Sequence, residues 1–158
     1  MRYFLSGLTI IIVTLFFAPQ GILAQEYSDT GYAVYFPVSQ EVVELADGRV
    51  NVETTNNGYV LAEDTESPFH LVAQSCSGTN VIGADGNIQR SAGHCAGRDK
   101  DGDLYWISFW NTADGGEWTL FGGTGKFEGI SGGGTSHTIG QDAGGAFVIR
   151  WNGTWRLP

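Results

Sequence analysis

The sequence predicts a single all-β domain, built from seven to nine short strands that form a closed sheet or a sandwich. Short runs in which apolar and polar residues alternate recur along the chain, and Asp-Gly or Asn-Gly pairs separate several of them. Such alternation is typical of half-buried strands, and such pairs favour hairpin turns. Beyond residue 24, no segment has a convincing helical period. A chain of 158 residues is long enough for one domain.

In the first half of the chain the predicted elements are short. A first strand is predicted at 32–38, with Pro37 at an edge or a strand end because proline cannot donate a ladder hydrogen bond. Residues 41–45 fit either a strand or a helical turn. The other predicted elements are strands at 49–55, 59–62 and 69–75, turns at Asp47-Gly48 and Asn56-Asn57-Gly58, and a loop at 63–68.

The second half contains the clearest strand, 146–157. One face of it carries five apolar residues, Phe147, Ile149, Trp151, Trp155 and Leu157. Residues 104–110 are apolar on both faces, which predicts a strand that a subunit or another chain covers on its outer side. The other predicted elements are strands at 88–92, 117–121 and 126–128, a strand that contains Cys95, turns at 85–87, 99–103 and 114–116, and a loop or weak strand at 137–145.

The first 24 residues have the features of a signal peptide. Arg2 supplies a positive charge, residues 3–18 are almost wholly apolar, and Ala24 is a small residue at a suitable cleavage point. A retained membrane anchor is the alternative, but the apolar segment is short for a membrane span. We therefore expect a single domain at 25–158, with 25–30 as a flexible lead-in, that is periplasmic or secreted.

The chain is acidic, with a formal net charge of −9 at pH 7. Nucleic acids are bound through a basic face that contacts phosphates, so no nucleic-acid partner is expected. Binding to an anionic membrane surface after signal cleavage is not expected either. Between residues 25 and 67, Arg49 is the single basic residue among many acidic ones. This acidic region fits a solvated surface better than a calcium site.

The two cysteines, Cys76 and Cys95, predict one disulfide. Exported chains hold their cysteines in an oxidising compartment, and two cysteines allow one pairing. Two free thiols are the alternative. A redox-active pair is not expected, because the two residues are not arranged as C-x-x-C.

The glycine-rich stretch 117–135 is the most specific part of the sequence. Within it, the segment 122–129, Gly-Gly-Thr-Gly-Lys-Phe-Glu-Gly, resembles the glycine-rich strand segment of the allene oxide cyclase and dirigent barrel superfamily. The resemblance is stronger to small secreted bacterial proteins with this barrel. In those, a Cys, a Gly-x-Cys and an Asp-x-Asp-Gly-Asp turn precede the segment, as Cys76, Gly93-His94-Cys95 and 99–103 do here.

This resemblance covers residues 68–158 best. It implies an eight-stranded antiparallel closed barrel with an apolar cavity, in a protein that is often oligomeric. The known activities of the superfamily are the cyclisation of reactive, mostly apolar substrates and the steering of radical coupling. Aromatic residues on the predicted strands would line such a cavity or fill it as a core. The predicted ligand-binding residues are Trp106, Trp110, Trp118, Phe121, Phe147 and Trp151.

Two motifs that resemble catalytic loops are rejected on their spacing. The run 122–126 ends in a lysine as phosphate-binding loops do, but Phe127 follows where Ser or Thr is required and no helical pattern comes next. Ser131 lies in a glycine-rich context that is one residue out of register with G-x-S-x-G. Neither phosphate binding nor acyl transfer is therefore expected.

Two metal-binding hypotheses are also weak. The carboxylates at 99–103 resemble part of a calcium loop, but the glycine and the terminal glutamate of an EF-hand do not fit, so a hairpin turn is favoured. The three histidines, His70, His94 and His137, are too scattered to supply a pre-organised pair of zinc ligands. We expect no metal and no cofactor.

The leading functional hypothesis is an exported barrel that binds a small apolar or aromatic molecule in its cavity. Its chemistry would be that of a cyclase, an isomerase or a protein that directs the stereochemistry of a coupling, and whether it is an enzyme is left open. Glu117 and Glu128 flank the family motif, but no residue is assigned a catalytic role. The alternative is a non-enzymatic structural or interaction protein that acts as a homo-oligomer through the strand at 104–110.

Overall fold

The computed structural model describes residues 25–157, so the predicted signal peptide lies outside the described residues. These residues form a closed antiparallel barrel in which each strand pairs with the next and the last pairs with the first. The strands are β1 Gln25–Glu44, β2 Val50–Ala62, β3 Val72–Ile82, β4 Ile88–Arg98, β5 Leu104–Thr112, β6 Gly115–Gly123, β7 Ser131–Gln141 and β8 Phe147–Leu157. No helix within 25–157 is long and apolar enough to cross a membrane.

The predicted fold class is confirmed: the domain is all-β, with eight antiparallel strands and one disulfide, Cys76–Cys95. Two of the predicted hairpin turns have the expected backbone conformation. Gly48 joins β1 to β2 and Gly86 joins β3 to β4, each with a φ of 81°. This left-handed conformation is favourable for glycine and strained for residues with a side chain, which explains why the turns contain Asp-Gly.

The first strand is longer than the sequence predicts. β1 continues through 41–44, so the helical turn considered for 41–45 is wrong, and it also includes 25–30, which pair with β8. A register shift between Pro37 and Ser39 bends the strand and accommodates the proline. Because of its length, β1 pairs with β2 along one edge and with β8 along the other.

The turn predicted at 56–58 is wrong, since these residues lie inside β2. Gly58 does not form a turn; it allows the ring of Tyr35 to pack closely against β2. A Cβ atom on Gly58 would lie 2.7 Å from Cδ1 of Tyr35, because the tyrosine ring leans across this glycine inside the barrel. Glycine here removes the side chain that would block the aromatic ring.

The glycine-rich segment closes one end of the barrel. Residues 126–128 do not form the predicted extended segment, because Gly125–Phe127 is a short 3-10 helix after β6. Phe127 is fully buried, and Thr124 Oγ1 accepts a hydrogen bond of 2.9 Å from the backbone N–H of Leu104. The segment therefore fixes the start of β5 and places a phenyl ring in the core.

An aromatic cluster fills this closed end. The Phe69 ring lies 4.9 Å from Tyr105, 5.7 Å from Phe127 and 4.7 Å from Trp155, measured between ring centroids. Phe69 comes from the loop between β2 and β3, and Phe127 from the 3-10 helix, so two connections cover the ends of the strands. All four residues are at most 4% exposed, and this half of the interior is a packed core.

The predicted hairpin turn at 99–103 joins β4 to β5 and is held by Lys126. Asp99 Oδ1 accepts hydrogen bonds of 2.9 Å from the backbone N–H groups of Asp101 and Asp103. The Lys126 ammonium lies 2.6 Å from Asp99 and 2.8 Å from Asp101, between their carboxylates. Hydrogen bonds from Lys126 and then Lys100 lower the pKa of Asp101 to about 2.

We expect Lys126→Met to destabilise the protein and to weaken its acid dependence. Because the folded-state pKa of Asp101 is about 2, below the 3.8 of the free side chain, this pairing stabilises the fold above pH ~4 and is lost as the pH falls towards 2. Thermal unfolding between pH 2 and 7 should show a lower melting temperature for the variant at neutral pH and a smaller difference at pH 2. Lys100→Met is the comparison: this lysine is 84% exposed and pairs with Asp101 but not with Asp99, so its loss should lower the melting temperature and the acid dependence less than the loss of Lys126.

Candidate functional site

At the other end of the barrel, aromatic and aliphatic side chains face inward. Cross-strand partners share a face of the sheet, and the register places Phe109 beside Trp118 and Tyr35 beside Phe147 on the inner face. Phe109, Trp118, Phe147 and Ile149 are only partly buried, unlike the closed-end cluster. These side chains pack against the buried core and keep part of their surface exposed. We call this half of the interior the open cup.

Polar side chains also face the open cup. Four partly exposed residues point inward in this half, namely Asn56, Asn80, Asn111 and Ser136. The amides of Asn56 and Asn80 each lie 3.5 Å from the Thr54 hydroxyl. The cup thus combines apolar walls with amide groups that can orient a bound molecule, as small-molecule sites commonly do.

The floor of the open cup is a hydrogen-bonded group of Tyr35, Gln74 and Tyr105. The Tyr35 hydroxyl donates to Gln74 Oε1, and Gln74 Nε2 donates to the Tyr105 hydroxyl over 3.0 Å. In the register these residues lie on one line across five strands, with Gly58 and Gly97 between them. A Cβ on Gly97 would collide with the Tyr105 ring, so both glycines let a tyrosine reach the central glutamine.

Burial keeps both phenols in the floor protonated. Desolvation raises the pKa of Tyr35 above its ordinary value of 10. It raises the pKa of Tyr105 as well, with a further contribution from the nearby Tyr35. Both hydroxyl groups are therefore hydrogen-bond donors at neutral pH, and neither is a phenolate.

The disulfide lies beside this floor. Cys76 and Cys95 are directly opposite each other on β3 and β4, with Cα atoms 4.0 Å apart, and both face inward. Cys76 Sγ lies 3.7 Å from Gln74 Oε1. The crosslink therefore fixes the two strands that carry one side of the floor.

The structure does not bring the six predicted ligand-binding residues together. Trp118, Phe147 and Trp151 face the interior, where the Trp118 and Trp151 ring centroids are 6.3 Å apart. The other three, Trp106, Trp110 and Phe121, face outward; Trp110 is 50% and Phe121 61% exposed. Only the first three can contribute to a site inside the barrel, and their role in binding stays a prediction.

Sequence reasoning missed four inward residues, Tyr35, Gln74, Phe109 and Asp29. Asp29 is a carboxylate on the inner face of β1, paired in register with Gly153. By contrast, Glu117 and Glu128 are exposed and do not face the interior. The glycines were at most a partial signal: Phe109 lies across Gly78 and Gly93 as the tyrosines lie across theirs, but the sequence does not show which ring lies over which glycine.

The histidines do not form a site in the structure. His70 Nδ1 is 2.7 Å from the carbonyl oxygen of Ala62, while His94 and His137 are exposed on other strands. Among residues 25–157 no group of three or more His, Cys, Asp or Glu side chains is arranged to hold a metal ion.

Two shallow grooves of about 550 Å³ each lie on the outer surface, above glycines that leave the backbone uncovered. One runs over Gly133, Gly134 and Gly153, and the other over Gly78 and Gly93. Both are open and polar, so they do not enclose a small apolar molecule.

The architecture is shared with solved structures. The pterocarpan synthase dirigent protein GePTS1 superposes with a TM-score of 0.54 at 16% identity, covering 89% of this chain and 94% of that one. The fold is a dirigent-like barrel. The pterocarpan synthase dirigent protein PsPTS1 gives a TM-score of 0.51 at 14% identity, covering 84% of this chain and 96% of that one. No protein-family model matches the sequence, and no curated protein matches it. The dirigent-like barrel is thus established as a fold, and its chemistry has to be argued from the residues.

Proposed function

We propose that the open cup binds a small apolar or aromatic molecule and holds it in one conformation. Confinement of this kind would steer a non-hydrolytic reaction, such as a cyclisation, an isomerisation or a coupling, towards one stereochemical outcome. The observation that carries the proposal is the set of partly exposed aromatic walls, Phe109, Trp118 and Phe147, above a floor of hydrogen-bonded tyrosines.

The floor and its surroundings supply the polar groups that such a reaction needs. The amides of Asn56 and Asn80 face this half of the interior and can orient an oxygen of the bound molecule, whereas the Tyr35 hydroxyl donates its proton to Gln74. The two structural neighbours are named as pterocarpan synthase dirigent proteins, which supports a stereo-directing role in a barrel of this shape. No hydrolytic motif was found in the sequence, and this agrees with chemistry that depends mainly on a shaped cavity.

We propose further that the domain is exported to the periplasm or secreted. The support is the buried Cys76–Cys95 disulfide, which is stable in oxidising compartments and rare in the cytosol. Cleavage by a signal peptidase after residue 24 would show as an N-terminus at Gln25 in protein recovered from outside the cytoplasm.

We expect Trp118→Leu to weaken binding of a neutral aromatic probe, 2-naphthol, whereas Trp110→Leu should not. The two tryptophans are on adjacent strands, but one faces the open cup and the other faces outward. Loss of about 1.5–3 kcal/mol of apolar burial corresponds to roughly a tenfold or larger rise in Kd. Isothermal titration calorimetry of the folded variants measures this directly.

Native mass spectrometry of the purified domain provides the independent check. A small apolar molecule that co-purifies in a fixed ratio would support the proposal and identify the ligand class. Absence of any passenger, together with no binding of 2-naphthol or of a neutral aliphatic alcohol, would contradict it. Equal loss of binding in both tryptophan variants would also contradict it, because the outer face would then be the site.

A second candidate is an interaction protein that assembles through the outer face of β5 and β6. The observation that favours it is the outward placement of three aromatic residues, Trp106, Trp110 and Phe121. Light scattering across a range of concentrations would show a multiple of the monomer mass. Phe121→Asp should then dissociate the assembly, whereas a monomer at every concentration would eliminate this candidate.

A further inference from the structure

Besides Asp99 Oδ2, which is paired with the Lys126 ammonium, two buried polar atoms have no hydrogen-bond partner among the described residues. They are Asp29 Oδ2 and Trp155 Nε1. The other carboxylate oxygen of Asp29 accepts a hydrogen bond of 2.7 Å from the backbone N–H of Thr30. Trp155 is only 2% exposed, so water at the surface does not reach its indole nitrogen.

The register places these two side chains near each other. Asp29 on β1 is opposite Gly153 on β8, and Trp155 is two residues further along the same inner face. Such diagonal neighbours have Cα atoms about 7–8 Å apart, a distance that aromatic side chains can span. Gly153 has no side chain to separate them, and the Trp118 ring covers it from the other side.

The Trp155 ring cannot easily turn away to find another partner. Its centroid lies 6.0 Å from the stacked ring of Tyr27 and 4.7 Å from the perpendicular ring of Phe69. The ring is thus held between β1 and the loop that closes this end. A buried indole N–H without an acceptor destabilises the fold, because it has lost its hydrogen bond to water and gained none in return.

The hydrogen-bonding roles of the two atoms restrict which molecule can bind between them. The carboxylate oxygen requires a hydrogen-bond donor, while the indole N–H requires an acceptor. A metal ion or an ammonium group would satisfy the carboxylate alone and would repel the N–H. Water donates and accepts at once, and buried waters commonly bridge polar groups of this kind.

We propose that the closed end of the barrel holds one ordered water molecule that bridges Asp29 Oδ2 and Trp155 Nε1. The site borders the open cup, because the Trp118 ring, which lines the cup, covers Gly153 opposite Asp29. It connects β1 to β8 through hydrogen bonds of side chains, in addition to the backbone ladder that closes the barrel. The site does not depend on the ligand proposed for the open cup.

Water-selective NMR of the ¹⁵N-labelled domain tests the proposal. The Trp155 indole N–H is identified as the signal that Trp155→Phe removes. In the wild type it should show a cross-peak to water with the sign of the diagonal in a NOESY spectrum and the opposite sign in a ROESY spectrum, which marks a bound water and excludes proton exchange. Asp29→Asn keeps an acceptor and should keep the cross-peak, whereas Asp29→Leu should remove it.

A double-mutant cycle in urea gives a readout that does not need the NMR assignment. Asp29→Leu and Trp155→Phe should each lower the unfolding midpoint, because each leaves one buried polar partner without the other. The double variant should lose less than the sum of the two. A wild-type indole signal without any water cross-peak would overturn the proposal, since the two residues would then bond directly or not at all. Strictly additive losses would overturn it as well.

Discussion

Phe127→Ala is expected to lower the free energy of unfolding by about 3–5 kcal/mol, the usual loss for a phenylalanine removed from a packed core. Phe127 is fully buried, and its ring lies 5.3 Å from Tyr105 and 5.7 Å from Phe69. The short 3-10 helix that carries it has little else to anchor it in the core. Urea denaturation followed by tryptophan fluorescence would measure the loss.

Phe121→Ala is the matched control for this experiment. Phe121 has the same side chain six positions earlier in the glycine-rich stretch, but it is 61% exposed on the outer face. Its removal should change stability by less than about 0.5 kcal/mol, as most exposed substitutions do. Similar losses in both variants would show that Phe127 does not close the core, and the description of the closed end would then be wrong.

Removal of the disulfide is expected to have the next largest effect. The double variant Cys76→Ala/Cys95→Ala should lose about 3 kcal/mol, the value for a crosslink that closes a loop of this length. Alanine is chosen because both sulfur atoms face the buried interior, where a serine hydroxyl would lack a partner. The midpoint of unfolding in urea should fall in proportion to this loss of unfolding free energy.

Reduction of the wild-type protein separates the stability that the covalent S–S bond contributes from the stability that the packing of the cysteine side chains contributes. Dithiothreitol should lower the wild-type midpoint towards that of the double variant, and it should leave the double variant unchanged. If the reduced wild type keeps its original midpoint, the disulfide contributes little and the strand pairing between β3 and β4 is sufficient. The open cup should also bind 2-naphthol more weakly after reduction, because its floor lies next to Cys76.

Much of the fold could be predicted because the relevant patterns are local. The alternation in 146–157 predicts both the strand β8 and its inner face. Alternate residues of a strand share a face, so the face that carries the apolar residues is the one that points into the barrel. Asp47-Gly48 and Asp85-Gly86 specify their turns through the backbone conformation that glycine permits. The cysteine pairing could be predicted because two cysteines allow a single pairing.

The orientation of the tryptophans could not be predicted in the same way. Both faces of the strand at 104–110 carry mostly apolar residues, with Ser108 as the exception, so the pattern does not distinguish the inner side from the outer one. A register shift between Trp106 and Ile107 changes the pairing with β6 as well. The inner face carries Tyr105, Ile107 and Phe109, and the tryptophans of this strand are left outside.

The role of Gly58 also differs from the predicted one, for a physical reason. A sequence shows that a side chain is missing but not what occupies its place. The two asparagines before Gly58 predict a turn, whereas in the structure the missing side chain of Gly58 leaves room for the ring of Tyr35. The floor of the open cup depends on such pairs between distant strands, so no local pattern could have identified it.

The pairing of β1 with β8 has a consequence for the order in which the protein matures. Hydrogen bonds between these strands join residues about 120 positions apart, as between Arg150 and Thr30. Every other neighbouring pair is consecutive in the chain and can form as soon as its second strand has been synthesised. Until β8 is available, β1 and β7 present unpaired edges that favour aggregation. We therefore expect chaperone dependence, rather than thermodynamic stability, to limit the yield of chains in which synthesis of the last strand is delayed.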